Sequence, residues 1–258
     1  MPEFASFARH TLVWIRPECR VAVAGQISDS DMHTQVAAWL AADRPLVVAR
    51  QPVTRKDFAG VGAGHAREQK DNRGHGPLLQ KQFHLLENGI ANTIAVGVAL
   101  PPAQGKRRIA LSLAAKDIFR YTPPLLLADA VAHAPAGWQP ALAALDAAAS
   151  NIDLELRVFG SLAWQALSGL QYLTPQSDID LLWHPLSNTQ LQQGIALLAH
   201  WEQDHGLRAD GEVLFGGSSA VSWREWATLK SGEDQRVLVK HVSSAELVEA
   251  RELLELLA

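Results

Sequence analysis

The chain has 258 residues, 48% of them hydrophobic, which suffices for one large domain or two modest ones with a buried core. Its net charge of −4 argues against a nucleic-acid partner, because such proteins usually carry basic surfaces that neutralise phosphates. The single cysteine excludes an internal disulfide and a cysteine-based zinc cluster, and is typical of a reduced, cytoplasmic location. We expect no membrane partner, because no segment resembles a signal peptide or reaches membrane-spanning length.

Short apolar strands and one helix are predicted in the first half. Residues 29–31 are helix-capping types followed by apolar residues at helical spacing, which predicts a helix over about 29–40. Apolar runs predict strands over 10–15, 46–49, 94–100 and 108–113. Glycine and charged residues dominate 51–88, which indicates a polar insertion with a short helix near 78–86.

Strands and helices alternate in the second half. The predicted strands cover 154–159, 179–183, 208–215 and 236–240. The predicted helices cover 123–133, 141–149, 162–167, 187–204 and 243–257. We place a domain boundary near 116–120, so that an N-terminal α/β domain (1–118) precedes a catalytic domain (119–258). The fold class predicted is α+β, built on a small mixed sheet with flanking helices.

The chemistry is concentrated around one glycine–serine turn and the next strand. Gly160-Ser161 lies between a predicted strand and a predicted helix, where backbone N–H groups can hold phosphate oxygens. Asp178 and Asp180 alternate with apolar residues, so their side chains share one face. Two close carboxylates repel each other unless a cation lies between them, and oxygen ligands suit Mg²⁺. We therefore expect a magnesium site here.

A third carboxylate follows in the predicted strand 208–215. Asp210 and Glu212 share a face of that strand, and Asp210 beside the first pair would complete a catalytic metal site. Each signal is weak alone: a Gly-Ser turn is common, Asp-x-Asp often marks a solvated edge, and Asp210 and Glu212 can be the outer face of an edge strand. The order strand, Gly-Ser, helix, Asp-x-Asp strand is more specific.

A triphosphate would also need cations. The candidates are Lys106, Arg107, Arg108, Arg224, Lys230 and Lys240. We take Lys106, Arg108, Arg224 and Lys240 as substrate-binding residues, although a solvated basic turn explains the cluster at 106–108 equally well. Lys240 ends an apolar strand, which makes it a better candidate than an ordinary surface lysine. A tryptophan near these motifs can stack on an adenine or simply fill the core.

These motifs resemble the DNA polymerase β-like nucleotidyltransferase superfamily, whose signature is Gly-Ser, a helix, and Asp-hydrophobic-Asp in the next strand. The gap between Ser161 and Asp178 is several residues longer than usual. Longer runs, including "RHTLVWIRPE", "GVALPPAQGKRRIALSL" and "VFGSLAWQALSGLQYLTPQSDIDLLWHP", are similar to the malonate decarboxylase holo-acyl-carrier-protein synthase family, the phosphoribosyl-dephospho-CoA transferases. Together the similar runs extend from about residue 9 to residue 241.

The resemblance implies a reaction and its participants. The donor is 2′-(5″-triphosphoribosyl)-3′-dephospho-CoA, the acceptor is a serine of the apo acyl-carrier subunit of malonate decarboxylase, and diphosphate leaves. Asp178, Asp180 and Asp210 would bind Mg²⁺ and carry catalysis, and Gly160 and Ser161 would hold the leaving diphosphate. Two alternatives stay open: a transferase that attaches AMP or another nucleotide to a hydroxyl, and a non-catalytic nucleotide-binding module.

Overall fold

The structure, a computed structural model, describes residues 7–51, 93–229 and 235–257. The helix predicted near 78–86, most of the polar insertion and Lys230 lie outside the described residues. Two β-sheets with several helices make up the described chain, which confirms the α+β class. Among these residues, no helix is both long and apolar enough to cross a membrane.

The first sheet is antiparallel and has five strands in the order β4-β3-β2-β1-β5. The strands are β1 (Leu12–Ile15), β2 (Leu46–Val48), β3 (Thr93–Ala99), β4 (Arg108–Ala114) and β5 (Ile118–Thr122). Two helices, α1 (Arg20–Ala24) and α2 (Ser30–Ala41), cover it. The Asp29 side chain accepts a hydrogen bond from the Met32 N–H and so caps α2, as its residue type predicts.

The second sheet has seven strands in the order β12-β11-β10-β9-β8-β7-β6. The strands are β6 (Leu125–Leu126), β7 (Leu156–Val158), β8 (Ile179–Trp183), β9 (Ala209–Phe215), β10 (Ser219–Ser222), β11 (Arg236–Lys240) and β12 (Ala245–Glu249). The helices are α3 (Leu127–Val131), α4 (Gln139–Ser150), α5 (Gly160–Ser168), α6 (Asn188–His205), α7 (Trp223–Ala227) and α8 (Ala250–Leu254). Among the described strands, only β8 and β9 pair in parallel, because α6 carries the chain back across the sheet between them.

The two faces of the second sheet differ. Ile179, Leu181 and Trp183 of β8 point into a large apolar core shared with the helices. Asp180 and Leu182 alternate with them and therefore lie on the opposite face. The candidate carboxylates thus lie on the face of the sheet away from the helical core.

Two helix predictions are wrong in part. The prolines at 123 and 124 do not open a helix: Leu125 pairs with Val158 as an edge strand, and α3 begins only at Leu127. The helix predicted over 243–257 is a strand in its first half, because β12 pairs with β11 as a hairpin, and α8 begins at Ala250. Strands β5 and β10 and helix α7 were not predicted. Register pairing between distant segments leaves little trace in local periodicity.

The sheets meet along a seam of specific contacts. The Tyr172 hydroxyl donates to the Ala99 carbonyl at 2.7 Å, and Arg44 donates to the Ser168 carbonyl at 2.9 Å. Trp164 of α5 packs edge-on against Trp39 of α2, with 5.4 Å between ring centroids. The chain passes from the first sheet to the second between Thr122 and Leu125. The division at residue 118 stays a prediction.

Candidate active site

Two of the predicted aspartates lie side by side on neighbouring parallel strands. Asp180 of β8 and Asp210 of β9 are register partners, so both side chains lie on the same face. Gly211 separates Asp210 from Glu212 with φ of 134°, and a Cβ there would lie 1.9 Å from the Leu181 carbonyl oxygen. A glycine at this position therefore lets β9 run close against β8 beside the carboxylates.

The Gly160-Ser161 turn lies directly against Asp180. Gly160 has φ of 62°, and a Cβ built on it would lie 1.8 Å from Asp180 Oδ2. The Phe159 N–H donates to the Asp180 carbonyl at 3.0 Å, which fixes the turn to β8. Ser161 is the second residue of α5, and its backbone N–H donates toward the Asp180 carboxylate. The structure thus brings the predicted turn and Asp180 of the predicted strand into direct contact.

The Asp180 carboxylate is buried beside two other negative charges, and its pKa reflects this. Burial, followed by the negative charges of Asp210 and Asp178, raises the pKa of Asp180 to about 6. The Ser161 N–H and the charge of Arg108 act in the opposite direction and lower this pKa. The repulsion among the carboxylates is the kind that a bound cation relieves.

Asp178 lies one residue before β8, so it is outside the strand alternation from which a face shared with Asp180 was predicted. Its carboxylate forms an ion pair with the exposed Arg208 at 3.6 Å. Across the described ranges, no three His, Cys, Asp or Glu side chains are gathered closely enough to hold a metal ion by themselves. Mg²⁺ typically takes one or two carboxylates and completes its shell with water and substrate phosphates, so the Asp180–Asp210 pair fits that donor set.

The four cations predicted to bind substrate lie in three different places. Arg108 begins β4 of the first sheet, close enough to Asp180 to lower its pKa, and Lys106 lies exposed in the preceding turn. Arg224, by contrast, donates to Glu202 and to the Ala209 carbonyl and lies over the Trp223 ring. The structure therefore brings Arg108 to the carboxylates and gives Arg224 partners elsewhere.

Lys240 belongs to a cluster around Glu212, a residue only 5% exposed. The Lys240 ammonium lies 3.0 Å and the Arg9 guanidinium 3.1 Å from Glu212 Oε1, and His10 Nε2 lies 3.5 Å from Oε2. Burial alone would raise the pKa of Glu212, but these three neighbours outweigh it and lower the pKa to about 2.

Sequence reasoning assigned no chemistry to Arg9 and His10. His10 adopts φ of 67°, and its ring stacks on Phe159, the residue before the Gly-Ser turn, at 4.1 Å between centroids. A left-handed backbone at a non-glycine residue beside a site is a common sign of functional constraint. The available signal was an arginine and a histidine at the start of the strand predicted over 10–15, which by itself is unspecific.

The lengthened loop between α5 and β8 has a structural role. Gln165 of α5 accepts hydrogen bonds from the Tyr172 and Leu173 N–H groups, each at 3.0 Å. Tyr172 and Leu173 are buried, and Tyr172 reaches the first sheet. The loop therefore fastens the two sheets together behind the carboxylates.

The chain is similar to a known family over most of its length. The family described as phosphoribosyl-dephospho-CoA transferase MdcG C-terminal domain matches residues 126–251, and the corresponding N-terminal domain matches residues 8–73. A phosphoribosyl-dephospho-CoA transferase of Xanthomonas campestris pv. campestris (strain 8004) is 38% identical over 240 residues, covering 93% of each chain. That of Bradyrhizobium diazoefficiens is 36% identical over 164 residues, 64% of this chain and 71% of the relative. No solved structure matches the chain significantly.

Proposed function

Since this chain belongs to the phosphoribosyl-dephospho-CoA transferase family, we propose that it transfers the phosphoribosyl-dephospho-CoA group from 2′-(5″-triphosphoribosyl)-3′-dephospho-CoA to a serine of an apo acyl-carrier protein. The acceptor in this proposal is the acyl-carrier subunit of malonate decarboxylase, the second product is diphosphate, and the location is the cytoplasm. The observation that carries the proposal is the Asp180–Asp210 register pair packed against the Gly160-Ser161 turn.

The proposed step is a nucleotidyltransferase-type substitution at phosphorus. The serine Oγ attacks the phosphorus nearest the ribose, an O–P bond forms, and the O–P bond to diphosphate breaks. Asp210 accepts the hydroxyl proton and aligns the serine, while the N–H groups at the start of α5 hold the leaving diphosphate. Asp180 and Asp210 would hold Mg²⁺, which would neutralise charge on the phosphates, while Asp178 lies one residue before β8 and adds negative charge beside the pair. Arg108 adds positive charge from the first sheet.

The test is a transfer assay with purified enzyme, Mg²⁺, donor and apo carrier subunit, read by intact-protein mass spectrometry. We expect the carrier to gain one phosphoribosyl-dephospho-CoA group. Asp180→Asn should lower the rate by about a thousandfold, because it removes one member of the carboxylate pair. Removal of Mg²⁺ with a chelator should stop transfer, and added Mg²⁺ should restore it.

Asp204→Asn is the matched control, since Asp204 is exposed near the end of α6, away from the sheet face that carries the site. It should retain the wild-type rate. An AMP adduct formed from ATP, with no adduct from the triphosphoribosyl donor, would identify a different nucleotidyltransferase. Wild-type rates in both Asp178→Asn and Asp180→Asn would contradict the assignment of the catalytic carboxylates.

A further inference from the structure

A cavity of about 530 Å³ lies at the seam between the sheets. Its volume is within the range of about 300–1,000 Å³ typical of small-molecule sites, which often form between domains. Its walls come from the segment Phe7–Thr11, from Tyr121 and the following prolines, and from the second sheet. None of the carboxylates assigned to catalysis lines it.

The cavity lies along the same sheet face as the catalytic carboxylates. Leu182 lines it and is the next residue of β8 on the face of Asp180, about 7 Å further along the strand. An adjoining cleft shares Arg9 and Leu182 with the cavity and reaches Glu212 and Lys240. Beyond Asp180, the face therefore presents the cation cluster around Glu212 and, beside it, the cavity.

The cation zone has spare positive charge. Arg9 and Lys240 share the single carboxylate of Glu212, so two cations face one anion. Their side chains keep exposures of 20% and 40%, which leaves donors open to a phosphate group. This zone suits a second anionic group of a ligand whose reacting phosphate lies at Asp180.

The cavity itself is mainly apolar. Its lining includes Leu182, Leu186, Leu214 and Tyr121, and Leu186 and Tyr121 are 69% and 56% exposed. Exposed apolar side chains grouped at a concave site are typical of a binding surface. The Tyr121 ring packs edge-on against Phe7 at 5.2 Å, so the pair forms a wall for a flexible chain and not a slot between two parallel rings for a purine.

We propose that this cavity binds the pantetheine arm of the dephospho-CoA portion of the donor, with the diphosphate that links arm and nucleoside at Arg9 and Lys240. The inference rests on the proposed function and adds the location of the non-reacting end of the donor. The donor carries, in order, a triphosphate, a ribose, an adenosine, a diphosphate and the pantetheine arm, and the face offers carboxylates for the triphosphate end and, beyond them, cations beside an apolar cavity for the other end. Tyr121 of the first sheet and Arg9, which precedes β1, then contribute to substrate binding.

Calorimetric binding of two probes to the full-length enzyme tests this inference. The probes are 3′-dephospho-CoA and ADP, which shares the adenosine and diphosphate but lacks the pantetheine arm. Tyr121→Ala and Leu186→Glu should each weaken binding of 3′-dephospho-CoA by about tenfold and leave that of ADP unchanged. Phe119→Ala and Leu247→Glu are matched controls, since both residues are exposed and apolar yet do not line the cavity. Both controls should bind the two probes as the wild type does.

The binding assay involves no transfer, so its outcome is separate from that of the proposed function. If the two cavity variants bind 3′-dephospho-CoA as tightly as the wild type, or the wild type does not bind it, the inference is wrong even where transfer proceeds. An equal loss for ADP would place the adenine in the cavity and overturn the inference. If the cavity variants bind 3′-dephospho-CoA as the wild type does and, in the transfer assay, raise only the KM for the carrier protein, the cavity is a carrier surface and the inference is wrong. Loss specific to 3′-dephospho-CoA, without any transfer to the carrier, would leave the inference standing and reject only the proposed acceptor reaction.

Discussion

Gly160 shows how one residue type fixes the distance between a turn and a carboxylate. Its φ of 62° is costly for any residue with a Cβ, and that Cβ would lie 1.8 Å from Asp180 Oδ2. Gly160→Ala must therefore displace Asp180 or open the turn. We expect a folded protein whose initial transfer rate falls by at least about tenfold.

Gly206→Ala separates the two effects of Gly160→Ala, which are the backbone strain at a positive φ and the clash of the new Cβ with Asp180. Gly206 ends α6 with a closely similar φ of 64°, and a Cβ there would meet nothing within 4 Å. This variant should lose about 1–2 kcal/mol of unfolding free energy and keep its activity. Equal activity losses in the two variants would attribute the Gly160 effect to backbone strain and not to the contact with Asp180.

The lowered pKa of Glu212 predicts that the free energy of unfolding depends on pH. Its folded-state pKa of about 2 lies below its ordinary 4.5, so its stabilising contribution is present in full above pH 4.5 and is lost as the pH falls toward 2. Glu212→Gln should therefore lower the free energy of unfolding at pH 7 by up to about 3 kcal/mol. Urea denaturation should show the difference from wild type shrinking between pH 4.5 and pH 3.

Glu255→Gln is the comparison for this titration, because Glu255 is exposed at the end of α8. It should change the unfolding free energy little at either pH. A Glu212→Gln deficit of the same size at pH 7 and at pH 3 would contradict the role of Arg9, His10 and Lys240 in holding the Glu212 carboxylate ionised.

At the scale of elements, the unit from β7 to β9 was predictable and the sheet edges were not. Residues 179–183 form β8 as predicted, and Ser187 caps α6 as its residue type indicates. These elements combine strong periodicity with capping residues, and alternation alone places Asp180 on the face opposite the apolar core. The aspartate face of the candidate site could therefore be predicted from the sequence.

The edge elements depend on partners far away in the chain. Residues 245–249 were predicted as helix, yet they pair with 236–240 as a hairpin strand. Local propensity does not contain that register, and tertiary pairing overrides it. The same holds for Arg9 and His10, which join the site only because Glu212, more than 200 positions away, comes to lie opposite them. Long-range contacts of this kind were beyond sequence reasoning.

At the scale of the whole molecule, the seam joins two apolar cores that are otherwise separate. Trp164 belongs to α5, beside the second sheet, but packs against the core of the first sheet. It contacts Trp39 of α2 and stacks near Tyr172 of the loop that follows α5, with 6.4 Å between the latter ring centroids. α5 also begins at the Gly160-Ser161 turn, so one helix connects this turn to the first sheet.

This linkage predicts that the two cores unfold together. Differential scanning calorimetry of the wild type should give one unfolding transition. Trp164→Ala should remove about 2–3 kcal/mol of packing energy, mostly between the two cores, and should therefore split or broaden that transition. Trp138→Ala is the matched control, because Trp138 is also half-buried but packs only against the second core. It should lower the transition temperature without dividing the transition. Two transitions in the wild type, or a sharp single transition in Trp164→Ala, would show that the seam does not couple the unfolding of the two cores. Because α5 begins at the Gly-Ser turn, that result would also mean that the geometry of the turn does not depend on the stability of the first sheet.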